Sequence, residues 1–142
     1  MPKVFTSKTQ KIGELGEKIA CKYLFSKGFT ILDQNITKKY GEIDILAQKE
    51  NIIHFIEVKS VSVRDLSSVS RLPGGTLVKS GETKNPLEQV HSNKQQRMKR
   101  MVQGYLTSEK YNGEWQVDVV CVYLHHDTHR AKIKIYENII LF

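Results

Sequence analysis

The chain has 142 residues, of which 39% are apolar and 26% charged, and its 22 Lys and Arg against 15 Asp and Glu give a formal net charge of +7. This length fits one domain over residues 1–142, and the composition is that of a globular chain, neither disordered nor fibrous. A basic surplus of this size favours a polyanionic partner such as nucleic acid. The longest apolar run, Val119 to Leu124, is far short of the roughly 20 residues of a membrane-spanning helix, so no membrane role is expected.

The opening MPKVFTSKTQK has no apolar segment of the secretory kind. Cys21 and Cys121 stand far apart, without metal-knuckle spacing or a disulfide framework, and a reducing cytoplasm is the simple reading. Residues 11–27 read as a helix, with Ile12, Leu15, Ile19, Ala20 and Tyr23 on one face and Gly28 as its stop. A short strand follows at Phe29 to Leu32. Tyr40-Gly41 then turns the chain into a strand from Glu42 to Gln48, Lys49 to Asn51 form a polar turn, and Ile52 to Lys59 is a second strand, so the pair reads as a hairpin. Residues 60–86 show neither period. Six serines, three glycines and two prolines among them predict a long loop, of the kind that is commonly functional. A second helix is expected over 87–108, then strands at 115–124 and 131–141 joined by a His-rich turn. The order predicts an α/β or α+β fold, with one central mixed sheet flanked by two main helices.

The hairpin carries the most informative residues, Glu42-Ile43-Asp44-Ile45 and Ile56-Glu57-Val58-Lys59. Strand side chains alternate faces, which puts Glu57 and Lys59 together with Ile53 and Phe55, and Asp44 with Glu42 and Leu46. A hairpin loop of two or four residues centred on Glu50-Asn51 pairs residues whose numbers sum to 101, and so sets Asp44 opposite Glu57. Two carboxylates side by side in a half-buried strand repel each other and lose hydration. A divalent cation relieves both costs, and Mg²⁺ favours one or two carboxylates with water and phosphate oxygens completing its shell. Lys59 then either orients an attacking water or stabilises charge developing on a phosphate. The plainer reading is a solvated face with a Glu57–Lys59 ion pair. Against it, Ile52, Ile53, Phe55, Ile56 and Val58 make the strand apolar on both sides, as in a central strand where charges seldom sit.

On a helical wheel Glu17 falls on the edge of the apolar arc of helix one, and Glu14 turns toward solvent. Glu17 either reaches the hairpin site or snorkels outward as a boundary residue. Helix two is basic, with His91, Lys94, Arg97, Lys99 and Arg100 against Glu88. Lys94 lies within the stripe of Val90, Met98, Met101 and Tyr105, where it either passes the sheet edge or points at an anion. Arg97, Lys99 and Arg100 form a solvated face able to touch phosphates. His125-His126-Asp127-Thr128-His129 reads as a polar turn before it reads as a transition-metal site. Trp115 and Tyr123 read as core, Asp118 as a packed, hydrogen-bonded acid, and Gly74-Gly75 as a turn.

Gly13-Glu14-Leu15-Gly16-Glu17, Ala20, Tyr23-Leu24, Gly28-Phe29, Asn35, Gly41-Glu42-Ile43-Asp44-Ile45 and Glu57-Val58-Lys59 resemble the YraN-like family of small bacterial proteins. By fold that family is placed in the PD-(D/E)XK nuclease superfamily, near the Holliday-junction resolvases. The resemblance implies a restriction-endonuclease-like core, Asp44 and Glu57 as ligands of Mg²⁺ or Mn²⁺, Lys59 as catalytic lysine, Glu17 as a further helix-one acid and Lys94 as a basic position of helix two. Ser60 departs from the pattern, which has a Thr-Arg pair after the lysine, and the 60–86 segment is longer than the family's usual loop. The expected function is metal-dependent hydrolysis of phosphodiesters in nucleic acid, DNA foremost. The alternatives are a nucleic-acid-binding module that has lost hydrolysis, and an interaction protein using the basic helix. The oligomeric state, a homodimer included, is left open.

Overall fold

A sheet that is apolar on both faces needs a cover on each, and this chain supplies one helix per face. In the computed structural model the described residues are 8–64, 77–79, 82–84, 92–125, 128 and 130–139. The elements are α1 (Lys8–Ser26), β1 (Thr30–Lys38), β2 (Gly41–Lys49), β3 (Ile52–Val63), β4 (Leu77–Lys79), β5 (Glu82–Lys84), α2 (Ser92–Ser108), β6 (Trp115–His125) and β7 (Ala131–Tyr136). β1-β2-β3-β6-β7 form one sheet, and β4 and β5 a separate small hairpin. Only the β3–β6 pair of the main sheet is parallel, and α2 belongs to the crossover that a parallel pair requires. This is the α/β architecture expected from the sequence, a five-stranded mixed sheet with two helices, and it is consistent with a restriction-endonuclease-like core.

On the α1 side, Ala20, Leu24 and Phe29 pack over Ile45, Ala47, Ile56, Val120 and Val122. On the α2 side, Met98, Met101 and Val102 cover Ile43, Leu46, Ile53, Phe55 and Val117. The near-continuous apolar runs of β3 and β6 follow from this double burial. α1 stops at Gly28, whose φ of 92° is one that L side chains rarely adopt. There Phe29 N–H donates to Leu24 O and Gly28 N–H to Phe25 O, the two bonds of a Schellman cap, with Leu24 and Phe29 meeting in the core. Glu50 and Asn51 both have positive φ, as a two-residue type I′ turn requires. That turn sets the expected register, from Lys49 opposite Ile52 through Ile45 opposite Ile56.

Several boundaries differ from the sequence expectation. β1 runs to Lys38, well past Leu32. It is an edge strand with most positions exposed and an irregularity between Ile31 and Asp33, so it carries little alternation to read. β3 continues through residues 60–63, which were expected to be loop. Ser60 and Ser62 alternate there with Val61 and Val63, a two-residue period hidden by the serine content. The small β4–β5 hairpin also falls within the expected loop. β7 ends at Tyr136, not residue 141, and Asn138 takes a positive φ beyond it. The expected start of helix two at 87, His91 and Gly74-Gly75 lie outside the described residues. Among the described residues, no helix is long and apolar enough to cross a membrane.

α1 is drawn close to β3 where Gly16 meets Ser60. A methyl group at Gly16 would overlap Ser60 Oγ and stand 2.8 Å from Ser60 Cβ. The small residue after Lys59 thus lets the helix seat with Glu17 beside the sheet. Gly16→Ala is expected to destabilise the fold by about 1–3 kcal/mol in urea denaturation. Adding Ser60→Gly should recover most of that loss. Additive losses in the double variant would show that the contact does not set the helix position.

Candidate metal and hydrolytic site

The sheet is interrupted on both sides of Asp44. Toward β1, Gln34 pairs with Ile45 and Ile36 with Ile43, which leaves Asn35 and Asp44 facing each other without a pair. Asn35 there has φ 52°. Toward β3, the ladder ends at Ile45–Ile56, one position short of the direct Asp44–Glu57 pair that the register predicts. The strands open here because the Asp44 side chain replaces the backbone: its Oδ2 accepts the Val58 N–H at 2.8 Å.

The opening still brings the two acids together. Asp44 and Glu57 are 7% and 2% exposed, and their carboxyls are within hydrogen-bonding reach. Burial first, and then the charge of Glu57, push the Asp44 carboxyl up to about 8, against the opposing pull of the Val58 N–H. In the absence of a cation, a proton is therefore retained at the pair near neutral pH. Glu17 approaches from α1, half-buried. Its carboxyl is raised by burial foremost and further by Glu42, Glu57 and Glu14, while a hydrogen bond from the Asn35 side chain acts the other way.

Lys59 lies two residues beyond Glu57 on the same face and beside Cys121 in the parallel ladder. Burial pushes the Cys121 thiol up to about 12, and the nearby Lys59 charge acts against that rise. Both cysteines are free. On α2, Arg97 and Arg100 are exposed and Lys99 is half-buried. A Cβ added at Gly41 would stand 3.0 Å from Arg97 O, so this turn of α2 rests on the start of the strand that bears Asp44. The side chain of Lys94 lies outside the described residues.

Among the described residues, no group of three or more His, Cys, Asp and Glu side chains is arranged to hold a metal ion. What is present is a pair of buried carboxylates, an all-oxygen donor set. That suits a hard divalent cation such as Mg²⁺ or Mn²⁺, which keeps several waters and needs only one or two protein carboxylates. His125 Nδ1 instead accepts the Thr128 N–H at 3.1 Å, as in a polar turn, and the side chains of His126, Asp127 and His129 are outside the described residues. Asp118 is the packed acid expected. It accepts from His54 Nδ1 at 2.6 Å, Gln116 Nε2 at 2.8 Å and Asn138 N at 2.9 Å. The residue beside Asp44 that sequence reasoning did not single out is Asn35, which faces it across the unpaired ladder position. Its signal was chemical: Asn is among the few side chains that tolerate a positive φ inside a strand.

The family model described as "Uncharacterised protein family UPF0102" matches residues 16–122. A UPF0102 protein of Campylobacter lari is 36% identical over 127 residues, covering 89% of this chain and 91% of the relative. One from Campylobacter fetus is 32% identical with the same coverage. One from Campylobacter hominis is 33% identical over 134 residues, covering 94% and 97%.

Because Asp44 is raised on folding, its contribution to stability is complete below the ordinary aspartate range and is lost as pH rises through about 8. In chelator, the wild type is expected to lose stability between pH 5 and 9, whereas Asp44→Asn should stay flatter. Above pH 8 the variant should be the more stable by about 1–3 kcal/mol. Parallel urea-stability profiles for the two proteins would contradict the shared-proton geometry.

Proposed function

The chain belongs to the UPF0102 family, and we propose that it is a metal-dependent endonuclease-like protein of the PD-(D/E)XK kind that hydrolyses phosphodiester bonds in nucleic acid, DNA foremost. The observation that carries this reading is the meeting of two buried carboxylates at the opened strands, in a chain of charge +7. Asp44 and Glu57 would hold Mg²⁺ or Mn²⁺, which when bound supplies an acidified water and offsets phosphate charge. Lys59, following Glu57 on its strand face, orients that water or stabilises the charge gathering on the phosphate. Arg97, Lys99 and Arg100 on α2, together with Lys94, hold the flanking backbone by contacts that carry no sequence information. A reducing cytoplasm suits the two free thiols and belongs to the same reading. A module that only binds nucleic acid would need the basic helix alone. Two buried acids would oppose a polyanion unless a cation sat between them.

The test is cleavage of linear, flapped and four-way DNA with Mg²⁺ or Mn²⁺. Asp44→Ala is expected to abolish it. Lys59→Ala should slow it about 10²–10³-fold while changing DNA affinity little, as for a group acting mainly in the transition state. Arg97→Ala with Arg100→Ala should do the reverse, weakening binding and flattening the log–log salt slope by about 0.9 for each phosphate no longer neutralised. DNA binding without cleavage of any substrate by either metal would favour the binding module. Neither binding nor cleavage would overturn both readings.

A further inference from the structure

The sheet face under α2 is not fully covered. Between the second half of α2 and the edge strand β1 lies a pocket of about 420 Å³, within the roughly 300–1,000 Å³ usual for small-ligand pockets. Ile43, Phe55 and Met101 give it an apolar lining, and Tyr40 and Tyr105 give it aromatic walls. Tyr105 meets Phe55 edge to face, with ring centroids 5.4 Å apart, and Tyr40 is 40% exposed at the rim. α2 makes room for Tyr40 by carrying no side chain where that ring ends: a Cβ added at Gly104 would stand 2.9 Å from the Tyr40 hydroxyl. Glycine weakens a helix interior, so the gap is kept at a cost in helix stability.

The two ends of the pocket differ in charge. Lys38 stands at one end, opposite Gly41 across the β1–β2 turn. Arg97 is there too, its Cβ 3.1 Å from a Cβ added at Gly41. Asp33 lines the pocket further back along β1, and Glu109 lines it just past the C-terminal end of α2. A phosphate is favoured at Lys38 and Arg97 and repelled from the acidic end, whose carboxylates accept hydrogen bonds from ring and amino N–H groups. A flat, uncharged ring with N–H donors, tethered to a phosphate, fits that polarity. This is the chemistry of a nucleobase on its backbone, and every base has a face to stack on tyrosine.

The pocket also adjoins the opened strands. Ile43 directly precedes Asp44, and Phe55 comes one place before Glu57 on the same strand face. From Gly41 to Asp44 is about 10 Å along β2. A strand held at Lys38 and Arg97 with a base in the pocket would therefore run toward the two buried carboxylates. A base inside a duplex reaches such a pocket only by leaving its stack, a cost that an unpaired base avoids. We propose that this pocket receives one unpaired base, so that the preferred substrate is a nucleic-acid strand with unpaired bases, free or at a flap or branch. The proposal rests on the nucleic-acid reading above and names its substrate class.

The experiment is fluorescence anisotropy of the full chain, in chelator, with a labelled DNA single strand, its fully abasic counterpart and a blunt duplex. The proteins are wild type, Tyr40→Ala, Tyr40→Phe and Gly104→Leu, each checked by its melting curve. Wild type is expected to bind the natural single strand about 10-fold tighter than the abasic one. Tyr40→Ala should lose that preference while its affinity for the abasic strand and the duplex changes less than about 2-fold, because those rest on phosphate contacts. Tyr40→Phe keeps the stacking ring and should match wild type. Gly104→Leu fills the pocket from the helix side and should behave as Tyr40→Ala does; if it folds poorly, the exposed Tyr40 carries the test. Wild type binding both single strands equally, or a folded Tyr40→Ala that keeps the wild-type preference, would overturn the proposal and leave the nucleic-acid reading standing. A pocket that takes a side chain of a protein partner predicts that same result. Absence of binding to all three oligonucleotides would instead remove the nucleic-acid reading and the base pocket together.

Discussion

The hydrogen bond from Val58 N–H to the Asp44 carboxylate is the interaction on which the site depends. A sheet cannot part in its interior without leaving backbone donors unsatisfied, and a buried unpaired N–H costs about 1–3 kcal/mol. By taking that donor, Asp44 lets β2 and β3 separate beyond Ile45 and Ile56 while staying buried itself. The same bond fixes the direction of the carboxylate toward Glu57. A structural role and a chemical role are thus carried by one side chain.

The surroundings show how such a costly arrangement persists. Asp44 and Glu17 carry their acids in a chain that is otherwise strongly basic, and burial with neighbouring like charges disfavours the charged form of each. Asn35 adds backbone strain on the β1 side, and Gly16 gives up helix propensity on the α1 side. These costs are offset by a sheet buried on both faces, with β3 and β6 parallel at its centre. The second buried polar group differs in kind. Asp118 is satisfied by three donors, and it knits β6 to His54 of β3 and to the chain after β7 with no unmet partner to offer a ligand.

The parts legible in the sequence were those where a period or a turn acts over several residues. Alternation in the second strand placed Glu57 with Lys59, and the Glu50-Asn51 turn set a register that the structure keeps as far as Ile45 and Ile56. Gly28 marked the end of α1 because its backbone conformation demands glycine. What the sequence concealed depends on single long-range contacts. The length of β1 is invisible where an exposed edge strand buries few residues. The continuation of β3 was masked because Ser60 and Ser62 resemble loop composition, though Val61 and Val63 keep the alternation. The seating of α1 against β3 depends on the small Ser60 facing Gly16, which a helical wheel does not contain. The resemblance that pointed to these residues is matched by the family assignment, while the chemistry proposed for them rests on the geometry of the site.

The most direct measurement is anomalous diffraction from crystals of the full chain soaked in Mn²⁺, recorded for wild type and Asp44→Asn. The expected result is a peak about 2.0–2.3 Å from carboxylate oxygens of both Asp44 and Glu57, absent from the variant. A peak only elsewhere, as at His125, or none at the opened strands under saturating Mn²⁺, would contradict the claim that this break in the sheet is a cation site.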